Sequence, residues 1–291
     1  ELLADPDLVR LSAPSLQPIF AWAVSSLGGG RLRRILRVMG GGSPLARLTA
    51  LQGKALEAVL RRDGDYRVYT AMRYSRPSAA EAVQRMREDG VTQAVALPLY
   101  PQYCAATTGS SLKDLRSEVQ GIPLRDIRSW PDHPGYVAAL CDLVARCLAR
   151  CQGRRAHLLF CAHGVPLSFI ESGDPYEGEV HRTAAAVRRV FPALPYSLAY
   201  QSRTGRGRWL GPDAAAEVRR LARAGSEALV VVPVSFVSDP SETLYELDID
   251  LRKVALESGV RSYIRVPALN DYPTFIQALR DLVLSAVAEA P

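Results

Sequence analysis

The sequence predicts an α/β fold built from two similar, doubly wound lobes with a cleft between them. The first observation is an internal duplication, because Arg73-Tyr74-x-x-Pro77 returns 135 positions later, without a gap, as Arg208-Trp209-x-x-Pro212. The second is the alternation of short apolar runs with amphipathic runs, which is typical of a mostly parallel sheet covered by helices. Paired strand ends in two such halves would face a cleft, where ligands bind in open sheets.

Each copy of the duplication predicts the same series of elements. A proline opens a helix, Gly90 or Gly225 ends it, and the following strand ends in Pro98 or Pro233. Strands are predicted at 66–72, 93–99, 156–162, 196–200 and 228–235. Helices are predicted at 78–89, 110–119, 134–151, 178–189, 212–224, 241–257 and 274–288. The two copies differ where their strands end, so we look for chemistry at 99–103 and 234–239.

The first 44 residues hold two features with more than one interpretation. The apolar stretch 19–24 is either a buried helix or an exposed lip over a pocket or against a membrane. The glycine run 40–42 lacks the Lys-Ser/Thr end of a phosphate loop, yet it can offer backbone N–H groups to a carboxylate. Because the chain starts at Glu1 in what reads as a helix-to-loop junction, we expect an N-terminal segment to be missing.

Composition excludes several classes of protein. The net charge of +6 favours an anionic ligand or membrane surface, but the basic residues are scattered and no nucleic-acid motif accompanies them. No apolar run approaches the roughly 18 residues of a membrane-spanning helix. Five cysteines, an odd number, argue against a disulfide framework.

Two groups of residues could perform acid–base chemistry. His163 follows an apolar strand and precedes Gly164, so it is expected at the carboxyl edge of a sheet, where an imidazole can exchange protons near neutral pH. Glu242, Glu246 and Asp250 form an acidic row on one predicted helix. That row is either a solvated surface, with Glu242 completing a capping box, or a path for protons or a divalent cation.

Other side chains near the strand ends could bind a flat, acidic ligand. The arginines that could hold carboxylates are Arg73, Arg203, Arg206 and Arg208. The aromatic residues that could line a wide, flat pocket are Tyr74, Tyr100, Tyr103, Trp209 and Phe236.

Several motifs in order along the chain resemble those of the ferrochelatases. They are Gly40-Gly41-Gly42-Ser43-Pro44, Arg73-Tyr74, Leu97-Pro98-Leu99-Tyr100-Pro101-Gln102-Tyr103, Ala162-His163-Gly164-Val165-Pro166, Gly173-Asp174-Pro175-Tyr176, Gln201-Ser202-Arg203, Trp209-Leu210-Gly211-Pro212 and Phe236-Val237-Ser238-Asp239 with Glu242-Thr243-Leu244-Tyr245-Glu246-Leu247-Asp248. The resemblance implies two lobes with four-stranded sheets, residues 1–127 with 274–291 and residues 128–273. It also implies insertion of ferrous iron into protoporphyrin IX, in the cytoplasm and near a membrane that supplies the apolar substrate.

The resemblance also implies roles for individual residues. His163 matches the family's catalytic base and Glu242 its carboxylate partner, and both, with Glu246, would handle the metal. The residues that would hold the porphyrin are Ser43, Arg73, Tyr74, Tyr100, Trp209 and Phe236. One departure is Pro240, which stands where many relatives have a histidine and cannot relay protons. The alternatives are a cobalt or nickel chelatase of another tetrapyrrole and a non-catalytic porphyrin-binding protein.

Four of the cysteines fall close together in the sequence, at Cys141, Cys147, Cys151 and Cys161. Some bacterial ferrochelatases carry a 2Fe–2S cluster on internal cysteines, and the resemblance makes this set a candidate for its ligands. The alternative is that they pack as small apolar residues. In a straight helix Cys141 and Cys151 would lie about 15 Å apart, so a cluster would require the helix to break.

Overall fold

The computed structural model of the protein describes residues 43–203, 207–240 and 242–288, and the fold is given for these ranges. The α-helices are α1 (Leu45–Leu60), α2 (Ala79–Glu88), α3 (Ser110–Glu118), α4 (Pro134–Ala149), α5 (Leu167–Glu171), α6 (Tyr176–Val190), α7 (Ala214–Arg223), α8 (Arg252–Glu257) and α9 (Pro273–Ala288). The strands are β1 (Ala94–Ala96), β2 (Leu124–Asp126), β3 (Ala156–His163), β4 (Tyr196–Gln201), β5 (Ala228–Pro233) and β6 (Ser262–Arg265). Two π-helices, Ala105–Gly109 and Glu242–Leu251, run directly into α3 and α8.

A four-stranded parallel sheet, in the order β4-β3-β5-β6, forms the centre of the C-terminal half. From β3 the chain moves to β4 on one side and then returns to β5 on the other side. The carboxyl ends of β3 and β5 are therefore a topological switch point, the place where open α/β sheets bind ligands. Every residue of β5 is buried, as expected for a strand covered by helices on both faces.

A smaller parallel sheet pairs β1 with β2 in the N-terminal half. The strand predicted at 66–72 is wrong, because this segment joins no sheet among the described residues. Its amides have other acceptors: Val68 N–H donates to the Glu57 carboxylate at 2.8 Å, and Met72 N–H donates to the Pro77 carbonyl at 2.7 Å. The α/β class and the parallel sheets are confirmed, but among the described residues the N-terminal sheet has two strands and not the four that the resemblance implies.

The duplication is confirmed in three dimensions. Helices α2 and α7 begin and end 135 positions apart, and each starts behind a side-chain cap. Ser78 accepts from the Glu81 N–H and Asp213 from the Ala216 N–H. After the helices, Gly90 and Gly225 both have positive φ angles, 69° and 83°, that favour glycine. The bonds that precede both helices, Arg76–Pro77 and Gly211–Pro212, are cis.

The C-terminal helix contacts both halves of the chain. Helix α9 packs against α1 and α4, and Phe275 and Leu279 are buried in the same core cluster as Leu56 of α1 and Leu140 of α4. The helix predicted at 274–288 is thus confirmed, and these side chains form its apolar face. None of the described helices is both long and apolar enough to cross a membrane.

A buried polar network ties the paired strand ends together. Gln102, which follows β1, donates from its amide to the Thr183 hydroxyl at 2.8 Å and to the Val234 carbonyl at 3.0 Å. The Tyr136 hydroxyl donates to the same carbonyl at 2.9 Å. Because a buried amide without partners would be costly, these bonds fix the segment after β1 relative to the segment after β5.

Candidate active site

His163 lies half-buried at the carboxyl end of β3, at the switch point of the large sheet. Its backbone is held from two sides: the N–H donates to the Ser235 hydroxyl at 2.8 Å, and the carbonyl accepts from the Tyr176 hydroxyl at 2.9 Å. Burial raises the pKa of Tyr176, so its phenol remains a donor at physiological pH. The imidazole is edge-on to the Phe236 ring, with the centroids 5.8 Å apart and the planes at 83°.

Trp209 is brought beside the same strand end by a short backbone pairing. The Leu210 N–H donates to the Val165 carbonyl at 3.0 Å, and Pro166 and Trp209 form an antiparallel bridge. Gly164 allows this close packing, since a Cβ there would lie 2.8 Å from the Gln201 carbonyl oxygen. Trp209 therefore lies next to Gly164 and Pro166, as Phe236 lies next to His163.

Glu246 reaches the same edge of the sheet from the second π-helix. Its carboxylate accepts from the Gln201 amide at 3.5 Å and makes a short hydrogen bond with the Ser202 hydroxyl. Gln201 is the register partner of His163 in the neighbouring strand. A carboxylate and an imidazole are thus placed at the ends of adjacent strands. Glu242 begins this π-helix, and its side chain lies outside the described residues.

Arg73 and Tyr74 form a separate cluster in the N-terminal half. The Arg73 Nε–H donates to the Ser110 hydroxyl at 3.0 Å, and its Nη1 lies 3.7 Å from Oδ1 of Asp114. The guanidinium also stacks over the Tyr74 ring, 5.0 Å from its centroid. The side chain is held in place with a partial counter-charge, an arrangement suited to binding a carboxylate.

The other predicted porphyrin contacts lie near the surface. Tyr100 is exposed to 37%, and Ser43 is exposed directly before α1, where its hydroxyl accepts from the Leu45 N–H at 3.4 Å. Arg203 donates to the Leu210 carbonyl at 2.7 Å and so supports the loop that carries Trp209. Arg206, like the apolar stretch 19–24 and the glycine run 40–42, lies outside the described residues.

A pocket of about 440 Å³ opens beside the start of α6, away from these residues. Asp174 and Glu179 line it, but their carboxylates accept backbone N–H groups, from Ala105 at 2.7 Å and from Tyr103 at 2.6 Å. The carboxylates thus hold the chain after β1 in place. Of the candidate residues named from the sequence, Tyr103 lines this pocket, whereas His163, Trp209 and Phe236 do not.

The structure does not bring the four candidate cluster cysteines together. Cys141, Cys147 and Cys151 pack in the larger core cluster, with α4, whereas Cys161 packs in a second cluster on the other face of the sheet. Successive residues of a strand point to opposite faces, and Cys161 points away from α4. In the part of the chain that the structure describes, no three potential ligands form a metal-binding group. The expectation of a 2Fe–2S cluster on these residues therefore does not fit the structure.

Burial also keeps these thiols protonated. It raises the pKa of Cys161 to about 12 and that of Cys141 to about 11, and it raises the pKa of Cys147 and of Cys151 as well. In their packing the four side chains act as small apolar core residues.

Sequence reasoning missed the residues that hold the site in place. Ser235 fixes the His163 backbone from two residues beyond β5, and Tyr176 does so from the first turn of α6. Gln201 and Ser202 belong to a quoted motif, but their contact with Glu246 was not anticipated. The useful signal was position: each of these four residues lies at or beyond the carboxyl end of a strand or at the start of a helix beside it.

Comparison with known proteins gives a consistent family. The ferrochelatase family model matches residues 1–287. A protein of Synechococcus sp. (strain RCC307) named ferrochelatase is 44% identical over 297 residues, covering 99% of this chain and 77% of the relative. A protein of Rippkaea orientalis with the same name is 41% identical over 303 residues, covering 100% of this chain and 78% of the relative.

Solved structures agree on the fold. SirB from Bacillus subtilis with Fe3+ superposes with a TM-score of 0.58 at 12% identity, covering 82% of this chain and 90% of that chain. A multi-domain Deinococcus radiodurans protein with structural similarity to chelatases gives a TM-score of 0.53 at 17% identity, covering 84% and 52%. At these identities the likeness concerns the fold alone. With the family match over nearly its whole length, the chain belongs to the ferrochelatase family.

Proposed function

We propose that this protein inserts ferrous iron into protoporphyrin IX and so forms haem. Its membership of the ferrochelatase family supports this activity. The observation that carries the proposal is the arrangement at the carboxyl edge of the large sheet. There His163 and the Phe236 ring meet at the topological switch point, and the Glu246 carboxylate lies at the end of the adjacent strand β4.

The reaction exchanges two protons for one metal ion. A porphyrin carries two pyrrole N–H protons, and both must leave as Fe2+ enters, so the ring keeps its charge. We assign His163 as the base that accepts a pyrrole proton, since an imidazole exchanges protons near neutral pH. We assign Glu242 and Glu246 to carrying protons away and to guiding the ferrous ion, which prefers oxygen and nitrogen ligands.

The porphyrin would be held by stacking and by charge. Trp209, Phe236, Tyr74 and Tyr100 would contact the apolar faces of the ring. Arg73, with Ser43, would bind propionate groups, because a guanidinium pairs well with a carboxylate. A pocket that bends the ring would expose the nitrogen lone pairs to the metal.

We also propose a setting for the enzyme. The lobes would be residues 1–127 with 274–291 and residues 128–273, with the porphyrin in the cleft between them. The protein would work in the cytoplasm at the surface of the membrane that supplies its apolar substrate. Positive net charge, +6, favours such a surface when its lipids are anionic.

Zinc insertion tests the proposal, because zinc is redox-silent and its porphyrin product is fluorescent. Wild type and His163→Ala would be compared with His181→Ala, a change at an exposed position on α6. We expect turnover in wild type and in His181→Ala, and porphyrin binding without turnover in His163→Ala. Unchanged turnover in His163→Ala would refute its role as base. Porphyrin binding without turnover in all three proteins would instead favour a non-catalytic carrier, as Pro240 would suggest.

A further inference from the structure

Arg265 is a nearly buried cation on β6, the edge strand of the large sheet, with a side chain only 10% exposed. Its guanidinium contacts two carboxylates. Nη1 lies 2.6 Å from Oδ1 of Asp239, while Nε and Nη2 lie 2.7 and 2.8 Å from the two oxygens of Asp248. A bidentate pair fixes both the direction and the distance of the groups that it joins.

The two carboxylates belong to different parts of one segment, 239–251. Asp239 lies just before the π-helix Glu242–Leu251, and Asp248 lies within it. Asp239 also accepts from the Thr243 hydroxyl at 3.1 Å and from the Asn270 amide at 3.0 Å. Arg265 therefore ties the start of the π-helix and its second half to one point on the sheet.

A second side chain of β6 contacts the same segment. Tyr263 is two residues before Arg265, so the two side chains project from the same face of the strand. Its hydroxyl donates to the Leu247 carbonyl at 2.7 Å. Strand β6 thus holds both the backbone of the π-helix and one of its acids.

Glu246 extends from the segment towards the end of β4, where it contacts Gln201 and Ser202. The neighbouring acid, Asp248, is held by Arg265 instead. Arg265 therefore separates the acids near this helix into two sets. Asp239 and Asp248 are both paired with a buried cation, and Glu246 is directed to the edge where His163 lies.

We propose that Arg265 is a positioning residue for metal insertion. By binding Asp239 and Asp248, it fixes the π-helix against the sheet and so sets where Glu246 stands relative to His163. It also prevents those two carboxylates from capturing the metal ion away from the porphyrin. The inference rests on the proposed function, since it assigns Arg265 a role in that same reaction.

The experiment measures zinc insertion in wild type, Arg265→Met, Arg265→Lys and Asp248→Asn. Asp248→Asn keeps the shape of the side chain at a part-exposed position. It therefore still tests the pairing with Arg265 if Arg265→Met fails to fold. The control is Arg261→Met, which removes an exposed arginine directly before β6 that pairs with Glu227, directly before β5, at the amino ends of these strands. Porphyrin affinity is measured in parallel by quenching of tryptophan fluorescence.

We expect kcat/KM for zinc to fall about tenfold or more in Asp248→Asn and Arg265→Met, the loss usual for a group that orients a metal-handling residue. Arg265→Lys should recover part of it, and porphyrin affinity should stay unchanged throughout. If the wild-type protein inserts zinc and both Asp248→Asn and Arg265→Lys keep the wild-type kcat/KM, the role of Arg265 is overturned and the proposed function stands. A porphyrin affinity that falls together with kcat would also overturn it. A wild-type protein without turnover would overturn the proposed function and this role with it.

Discussion

The imidazole of His163 stands edge-on to the ring of Phe236, with 5.8 Å between their centroids. The two residues come from neighbouring parallel strands, one at the end of β3 and the other three positions beyond β5. Their contact therefore spans the switch point at which the order of the strands reverses. An edge-to-face pair restricts the orientation of both rings, so Phe236 sets the direction in which the proposed base points.

Phe236→Leu should lower the rate of zinc insertion in a protein that still folds. The change keeps apolar volume but removes the edge-to-face contact, which is worth a factor of about 2 to 10. We expect the zinc-insertion rate to fall by about that factor, measured by product fluorescence at saturating porphyrin. Phe191→Leu is the control and should retain wild-type rates. Phe191 is half-buried and lies directly after α6, before β4 begins. Equal losses in the two variants would point to general packing.

Glu246→Gln should raise the KM for the metal. The substitution preserves the side chain's shape beside Gln201 but removes the negative charge that attracts a cation. We expect an increase of about tenfold in the KM for zinc, with little change in porphyrin affinity. Glu257→Gln, at a residue paired with Lys253 on the exposed end of α8, is the matched control. An unchanged metal KM in Glu246→Gln would exclude a role for this carboxylate in metal delivery.

The anaerobically purified protein should show no visible iron–sulfur absorption. Cys161 faces the other side of the sheet from Cys141, Cys147 and Cys151, so the four thiols cannot reach one cluster without rearrangement of the core. Cys147→Ala should therefore insert zinc at the wild-type rate, measured alongside an iron and sulfide assay. A coloured protein that loses its colour in Cys147→Ala would show that the core does rearrange around a cluster.

The two caps of the duplicated helix should contribute similar stability. Ser78→Ala and Asp213→Ala each remove a side-chain oxygen that accepts an N–H of the first helical turn. We expect each to lower the free energy of unfolding by about 1 kcal/mol in urea titrations. Ser117→Ala is a suitable control, since that exposed hydroxyl only donates to a carbonyl one turn back in α3. Losses confined to one copy would mean that the two helices are not energetically equivalent.

Local patterns located the site because its edge is made by strand ends. The apolar run before His163 and the glycine after it were sufficient to place the imidazole at the mouth of the sheet. The helix at 241–257 was predicted, but its π-helical first part was not, since apolar spacing does not distinguish the two kinds of turn. Arg265 and its partner Asp239 lie 26 positions apart in the sequence, and no short-range pattern indicates such a pair.

The errors in the sequence-based strands have a physical origin as well. Residues 66–72 include the β-prone Tyr66, Val68 and Tyr69, but a strand exists only where a neighbour accepts its hydrogen bonds. Strands β2 and β6 are three and four residues long, too short for an alternation to be recognised. The family resemblance and closeness along the chain favoured a cysteine cluster, and neither takes account of the alternation of faces in β3.

The stability of the protein should depend on pH through His157, at the start of β3. Burial lowers its pKa below the ordinary value of about 6.5, against the opposing effect of Glu217. As pH falls below about 6.5, the unfolded chain therefore takes up a proton before the folded protein does, and stability present at neutral pH is lost. His157→Gln should reduce the change in the free energy of unfolding with pH between about pH 5 and 7, whereas the exposed substitution His181→Gln should leave that change as it is. An unaltered slope in His157→Gln would assign the acid sensitivity to other groups.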